Sequence, residues 1–151
     1  MTAAHKLRLD EQLCFALYAA TNAITRVYRP LLEALGLTYP QYLVLMVLWE
    51  RGAQPIGEIA HHLGLPPNAL SPLIKRLEVA GLVRRKTDLK DRRSIAVFLT
   101  NEGFALERAA SRTQSTVACR TRLSSKKFIA LREQLHELVE NLGEGLLAES
   151  C

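Results

Sequence analysis

Cysteine is scarce in this chain, and its three occurrences stand far apart, at Cys14, Cys119 and Cys151. No Cys-x-x-Cys pair exists, which excludes a disulfide framework and argues against a zinc site. The default for each is a free thiol. Aromatic residues are also few, with one tryptophan, four tyrosines and four phenylalanines among 151 residues. A core built mainly from aliphatic side chains suits helix packed on helix. No apolar run reaches 18 residues, so no membrane span is expected. The N-terminus lacks the charged-then-apolar layout of a secretory signal, and a cytoplasmic protein is expected. His61 and His62 are adjacent and have no further ligand at helical spacing, so neither a metal nor any other cofactor is expected.

What is present is basic charge, and it is concentrated. The net charge is +5, yet residues 66–100 alone hold eight basic and three acidic residues. That segment therefore carries the whole surplus. A local excess of this kind is an electrostatic footprint for phosphate, although a merely solvated face would look similar on charge alone.

Periodicity organises the rest. Leu13, Leu17, Ala20, Ile24, Val27 and Leu31 recur three and four apart, the stripe of a first helix. Asp10 is expected to cap it, Pro30 to bend or interrupt it near Arg29, and Gly36 to end it. TYPQYLVLMVLWERG reads as a second helix with Pro40 in its first turn. PIGEIAHHLGL is a short third helix stopped by Gly64. PPNALSPLIKRLEVAGL is a fourth, stopped by Gly81, with Pro72 close enough to its start to be tolerated in an early turn. The period then changes. LVRRKT and SIAVFLT are short β-like runs around the polar turn DLKDRR, a hairpin pattern. Thr100 can cap a fifth helix running to about Arg122, and Ser124 or Ser125 a sixth. In the sixth, Phe128, Leu131, Leu135, Leu138 and Leu142 form a narrow apolar seam of the kind used in helix–helix association.

Helix, tight turn, helix and two-stranded ribbon is the order of a winged helix-turn-helix. A helix of ordinary diameter enters the DNA major groove, where its early polar residues reach base edges. On the fourth helix these are Asn68, Ser71 and Lys75, with Arg76 nearby, while Leu70, Leu73, Ile74 and Leu77 supply the buried face. The ribbon tip concentrates Lys90, Arg92 and Arg93, suited to phosphates or a narrow minor groove. Asp91 can orient the Arg93 guanidinium through a charge-assisted hydrogen bond.

With DLKDRRSIAVFLTNEG as its wing, the helix-turn-helix before it and helices on both flanks, the chain resembles the MarR family of dimeric transcription regulators over nearly its whole length. DEQLCFALYAATNAITRVYRPLLEALGLTYPQYLVLMVLWE resembles, more narrowly, the organic-hydroperoxide-sensing branch, the OhrR repressors. The resemblance implies a mainly α fold with a small β wing. Residues of about 9–35 and 124–148 would be dimerisation helices, about 39–100 the winged helix-turn-helix and about 101–122 a linking helix, all within one MarR-like domain. It implies a homodimer on double-stranded operator DNA, with an organic hydroperoxide as inducer. It also implies a peroxide-reactive thiol at Cys14, supporting tyrosines at Tyr28 and Tyr39, and at Cys119 the second thiol of the two-cysteine members. Cys151 inherits no role from it.

The residues alone leave Cys14 open. A lone helical cysteine is commonly an inert, packed thiol. Against that, it lies in the first turns of its helix, where the dipole favours an anion, although Asp10 and Glu11 oppose the effect. Tyr18 is one turn on. Tyr28 is fourteen residues on, about 21 Å along a straight helix, and so cannot touch Cys14 of its own chain. It could touch Cys14 of a partner whose first helix runs antiparallel. Phe15, Leu17 and Leu43 would favour an alkyl or lipid hydroperoxide. Three rivals remain: a MarR-type repressor responding to a non-covalent small aromatic ligand, a thiol peroxidase, and an interaction module without DNA. A response that survives loss of Cys14, catalytic turnover of peroxide, or failure to bind random DNA at low salt would select among them.

Overall fold

A computed structural model describes residues 7–87 and 93–145. The chain divides into two compact units, Met1–Gln114 and Ser115–Cys151.

The first unit opens with a single 3-10 turn, Leu9–Glu11, and then helix α1, Leu13–Glu33. Asp10 does not cap α1. Its carboxylate is taken by Arg8 at 3.0 Å, the turn around it closes on itself, and Gln12 holds the cap position without a side-chain bond. Pro30 does not interrupt α1 either. The amide that proline lacks would have met the carbonyl of Arg26, and both residues are exposed, so water can take its place. The helix ends as its glycine implied, with Leu37 N–H donating to Leu32 O at 3.0 Å and Gly36 N–H to Glu33 O at 3.0 Å.

Helix α2, Tyr39–Arg51, begins with a reciprocal cap. Thr38 Oγ1 accepts from Gln41 N–H, and Gln41 Oε1 accepts from Thr38 N–H at 2.9 Å. Tyr42, Val44, Leu45, Val47 and Leu48 are all buried. A helix apolar nearly all round belongs at the centre of a unit, and α2 packs on α1, α3 and α4.

Strand β1, Gln54–Pro55, leads into α3, Ile56–Leu63, and α4, Pro67–Val79. The turn between α3 and α4 depends on Gly64, at φ 63°, a left-handed conformation that costs other residues about 1–2 kcal/mol. Leu65 N–H then donates to Ala60 O and Gly64 N–H to His61 O, closing the helix end. Gly81, at φ 76°, ends α4 in the same way. Because α4 starts at Pro67, Pro72 falls in its second turn, beyond the amides that lack partners in any helix.

Strands β2, Val83–Thr87, and β3, Ile95–Leu99, pair antiparallel in the register Val83↔Leu99 to Thr87↔Ile95. The ribbon has a third strand that the sequence did not announce. β1 pairs with β3 through Gln54↔Val97 and Pro55↔Ala96, giving the order β1-β3-β2. Pro55 is tolerated because an edge strand can spare an amide.

Helix α5, Asn101–Arg120, starts against this sheet. Thr100 caps it as expected, its Oγ1 accepting from Gly103 N–H at 3.1 Å and donating to Gly81 O at 2.5 Å. Trp49 Nε1 donates to Gly103 O at 2.9 Å. A Cβ on Gly103 would run into the carbonyl oxygen of Leu82, which is itself held by Thr100 N–H. Alanine favours a helix over glycine by about 1 kcal/mol, but overpacking typically costs about 1–3 kcal/mol. Here the obstacle is backbone that cannot move without losing a bond. Gly103→Ala is therefore expected to lower the unfolding free energy measured in urea by about 1–2 kcal/mol, and a variant as stable as wild type would refute that packing argument.

In the second unit, Thr121 Oγ1 donates to Ala118 O and accepts from Leu123 N–H, turning the chain after α5. Ser124 Oγ accepts from Lys127 N–H and so caps α6, Ser125–Gly145. Among the described residues no helix is long and apolar enough to cross a membrane.

Candidate functional site

The helix-turn-helix carries a polar face opposite its core. Leu70, Ile74 and Leu77 of α4 are fully buried and Leu73 partly so, which turns Asn68, Ser71, Lys75 and Arg76 outward, all exposed. The four polar residues expected to read DNA thus share one accessible surface.

Beside it, Arg84, Arg85 and Lys86 of β2 are exposed. Arg85 is engaged by Glu78 near the end of α4. Its Nη2 and Nε lie 2.9 and 3.0 Å from Glu78 Oε2, and its backbone N–H donates to Oε1. A half-exposed pair of this sort adds little stability, but it fastens the ribbon to α4. Arg93 is exposed at the foot of the turn; Lys90, Asp91 and Arg92 lie outside the described residues, as does Cys151.

The thiol region is built on α1. Cys14 is its second residue and is exposed. Around it Leu13, Phe15, Tyr18 and Ile24 are exposed as well, with Leu13 at 63% and Tyr18 at 66%. An amphipathic helix is folded here with much of its apolar side uncovered. Further along, Tyr28 meets Tyr39 of α2 with ring centroids 5.1 Å apart and Tyr42 at 5.8 Å, while Tyr39 and Tyr42 are 6.2 Å apart. Trp49 extends the group, 6.3 Å from Tyr42. Two of the expected tyrosines are thus brought together, with Tyr42 as an unforeseen third member; its place three residues after Tyr39, on one helical face, was the available signal. Tyr18 is not in this cluster. Cys14 is on the same helix as Tyr28, fourteen residues and about 21 Å earlier. Cys119 is exposed in the second unit.

Burial pushes the Tyr28 phenol up to about 12, and the neighbouring Tyr42 and Tyr39 rings add to the rise. Burial raises Tyr39 and Tyr42 too. All three are therefore neutral O–H donors at neutral pH. Since the folded state holds the proton more tightly than the unfolded one, the stability gained is complete below pH 10 and lost as pH rises from 10 toward 12. An alkaline melt of wild type should fall over that window, more steeply than that of Tyr28→Phe; parallel curves would contradict the assignment. His61 and His62 face each other at 6.0 Å, and among the described residues no group of three or more potential ligands could hold a metal.

Comparison with known proteins bears on this arrangement. The MarR family model matches residues 37–95, from the turn after α1 to the first residue of β3. The organic hydroperoxide resistance transcriptional regulator of Bacillus subtilis is 37% identical over 136 residues, 90% of this chain and 92% of that protein. The HTH-type transcriptional regulator TtmR of Methylorubrum extorquens is 44% identical over 134 residues, 89% and 69% of the two chains. Among solved structures, reduced AbfR bound to DNA superposes with a TM-score of 0.75 at 34% identity, covering 89% of this chain and 94% of that one. AbfR, from Staphylococcus epidermidis, has also been solved with a disulfide formed, at a TM-score of 0.65 and 32% identity, covering 93% and 94%. These relatives are regulators rather than enzymes, and the fold is the winged helix-turn-helix they share. The chain belongs to the MarR family of DNA-binding transcriptional regulators.

Proposed function

We propose that the protein is a redox-sensing repressor that holds operator DNA when reduced and releases it when an organic hydroperoxide oxidises Cys14. What carries the reading is an exposed cysteine on an uncovered apolar stripe, followed on the same helix by Tyr28, which meets Tyr39 and Tyr42 of α2, in a chain 37% identical to a regulator of organic hydroperoxide resistance. AbfR, solved reduced on DNA and separately with a disulfide formed, supports it.

In this reading two chains associate through α1 and α6, whose exposed apolar residues include Leu13, Phe15, Leu131, Val139 and Leu142. A two-fold axis sets the first helices antiparallel. Cys14 of one chain then meets Tyr28 and Tyr39 of the other, whose neutral phenols donate to its sulfur. Asn68, Ser71, Lys75 and Arg76 enter the major groove, while Lys90, Asp91, Arg92 and Arg93 serve the wing's contact with the backbone or minor groove. The thiolate attacks the hydroperoxide; an S–O bond forms, the O–O bond breaks, and the alcohol leaves after protonation. Cys119 attacks the sulfenic acid, an S–S bond forms and water departs. The recognition helices then no longer match half-sites about 34–36 Å apart.

A gel shift on the gene's own upstream DNA tests this. Reduced protein should bind, cumene hydroperoxide should release it, and dithiothreitol should restore the complex. Binding that ignores the hydroperoxide would refute the proposal.

A further inference from the structure

Pro72 is out of place in a helix that only has to pack. It is the sixth residue of α4, exposed, and on the face opposite Leu70, Ile74 and Leu77. A helical residue at this depth donates its amide to the carbonyl four residues back, here that of Asn68. Proline has no amide to give. The Asn68 carbonyl therefore loses its helical partner, in a helix that nevertheless runs unbroken to Val79. Residues 68, 71, 72 and 75 follow the three- and four-residue spacing of one helical face. On that face Ser71 and Pro72 are small or compact, so between Asn68 and Lys75 little side-chain bulk keeps the backbone away from an opposing surface.

We propose that the Asn68 main-chain carbonyl, released by Pro72, is a base-reading acceptor. It takes a hydrogen bond from an exocyclic amino group in the major groove, the N6 amino of adenine or the N4 amino of cytosine, the two donors that groove presents. Specificity at that base pair is then set by a residue that does not itself touch it. Pro72 is a positioning residue, and the reading atom belongs to the backbone of Asn68. The inference rests on the proposal that α4 enters the major groove.

The test compares wild type, Pro72→Ala, Pro72→Ser and Asn68→Ala, all full-length and reduced, by selection from random duplex DNA. Both Pro72 substitutions return an amide to the Asn68 carbonyl and should raise the melting temperature. They should also weaken the preference for the amino-bearing base at one position in each half-site by roughly fivefold or more, while the slope of affinity against salt stays the same. Purine in place of adenine, or pyrimidin-2-one in place of cytosine, at that position should weaken wild type and leave both Pro72 variants unaffected; whichever substitution acts identifies the base. Asn68→Ala keeps the carbonyl and should keep that position's preference. If Pro72→Ala and Pro72→Ser retain the wild-type preferences, or if they lose only a thymine preference through a lost methyl contact, the proposal is overturned. If Lys75→Ala and Asn68→Ala also leave every preference unchanged, the placement of α4 in the groove fails with it; if they alter other positions, only the role of the carbonyl fails.

Discussion

Cys14→Ser protein should bind operator DNA as tightly as wild type and remain bound after organic hydroperoxide is added. Cys14 is exposed near the start of α1, so exchanging sulfur for oxygen should change stability by less than about 0.5 kcal/mol. A serine hydroxyl cannot be carried to a sulfenic acid, so the trigger is absent while the DNA-reading surface is intact. Oxidised wild type should fall toward its non-specific affinity, which for proteins of this class is about a thousandfold or more weaker than specific binding. Fluorescence anisotropy with a labelled operator reads both states. Peroxide-induced release by Cys14→Ser would end the sensor reading and favour the repressor with a non-covalent ligand.

The oxidised wild type should run as a covalent dimer on a non-reducing denaturing gel and return to monomer with dithiothreitol. A disulfide needs its sulfurs about 2 Å apart and its Cα atoms usually within about 7 Å. Both candidate thiols, Cys14 and Cys119, are exposed, so each is accessible to a partner. If Cys14 lies at a two-fold seam, the second chain supplies Cys119, and two bonds form per dimer at full oxidation. Cys14→Ser and Cys119→Ser should each stay monomeric, and Cys151→Ser should still cross-link. A cross-link that persists in Cys119→Ser and disappears in Cys151→Ser would move the resolving role to the C-terminal cysteine.

Much of this architecture was legible because it is written in local chemistry. Gly36, Gly64 and Gly81 each precede a leucine, and each closes its helix with the bonds that a glycine followed by an apolar residue allows. Thr100 has a hydroxyl and an amide three residues on. The α4 face separated cleanly because Leu70, Ile74 and Leu77 are spaced for burial. What was missed depends on distant partners. Asp10 had the right chemistry for a cap, but Arg8 competed for its carboxylate. β1 is two residues long and contains proline, too short for any alternation, and exists only because β3 offers it an edge. Thr38 and Gln41, by contrast, carry the three-residue spacing of a reciprocal cap, a signal as local as the glycines. Burial of Tyr42 against Tyr28, and the engagement of Arg85 by Glu78, join residues that no periodicity links.

That last contact has a mechanical consequence. Glu78 stands one residue before the end of the helix proposed to enter the groove, and Arg85 at the middle of the strand that leads to the wing. Held together there, the two prongs are expected to move as one fork. A rearrangement that tilts α4 would lift the wing with it, so groove and backbone contacts should be surrendered in a single event. Dissociation of each half-site should then be single-exponential, and Glu78→Gln should loosen the fork into two prongs that let go separately.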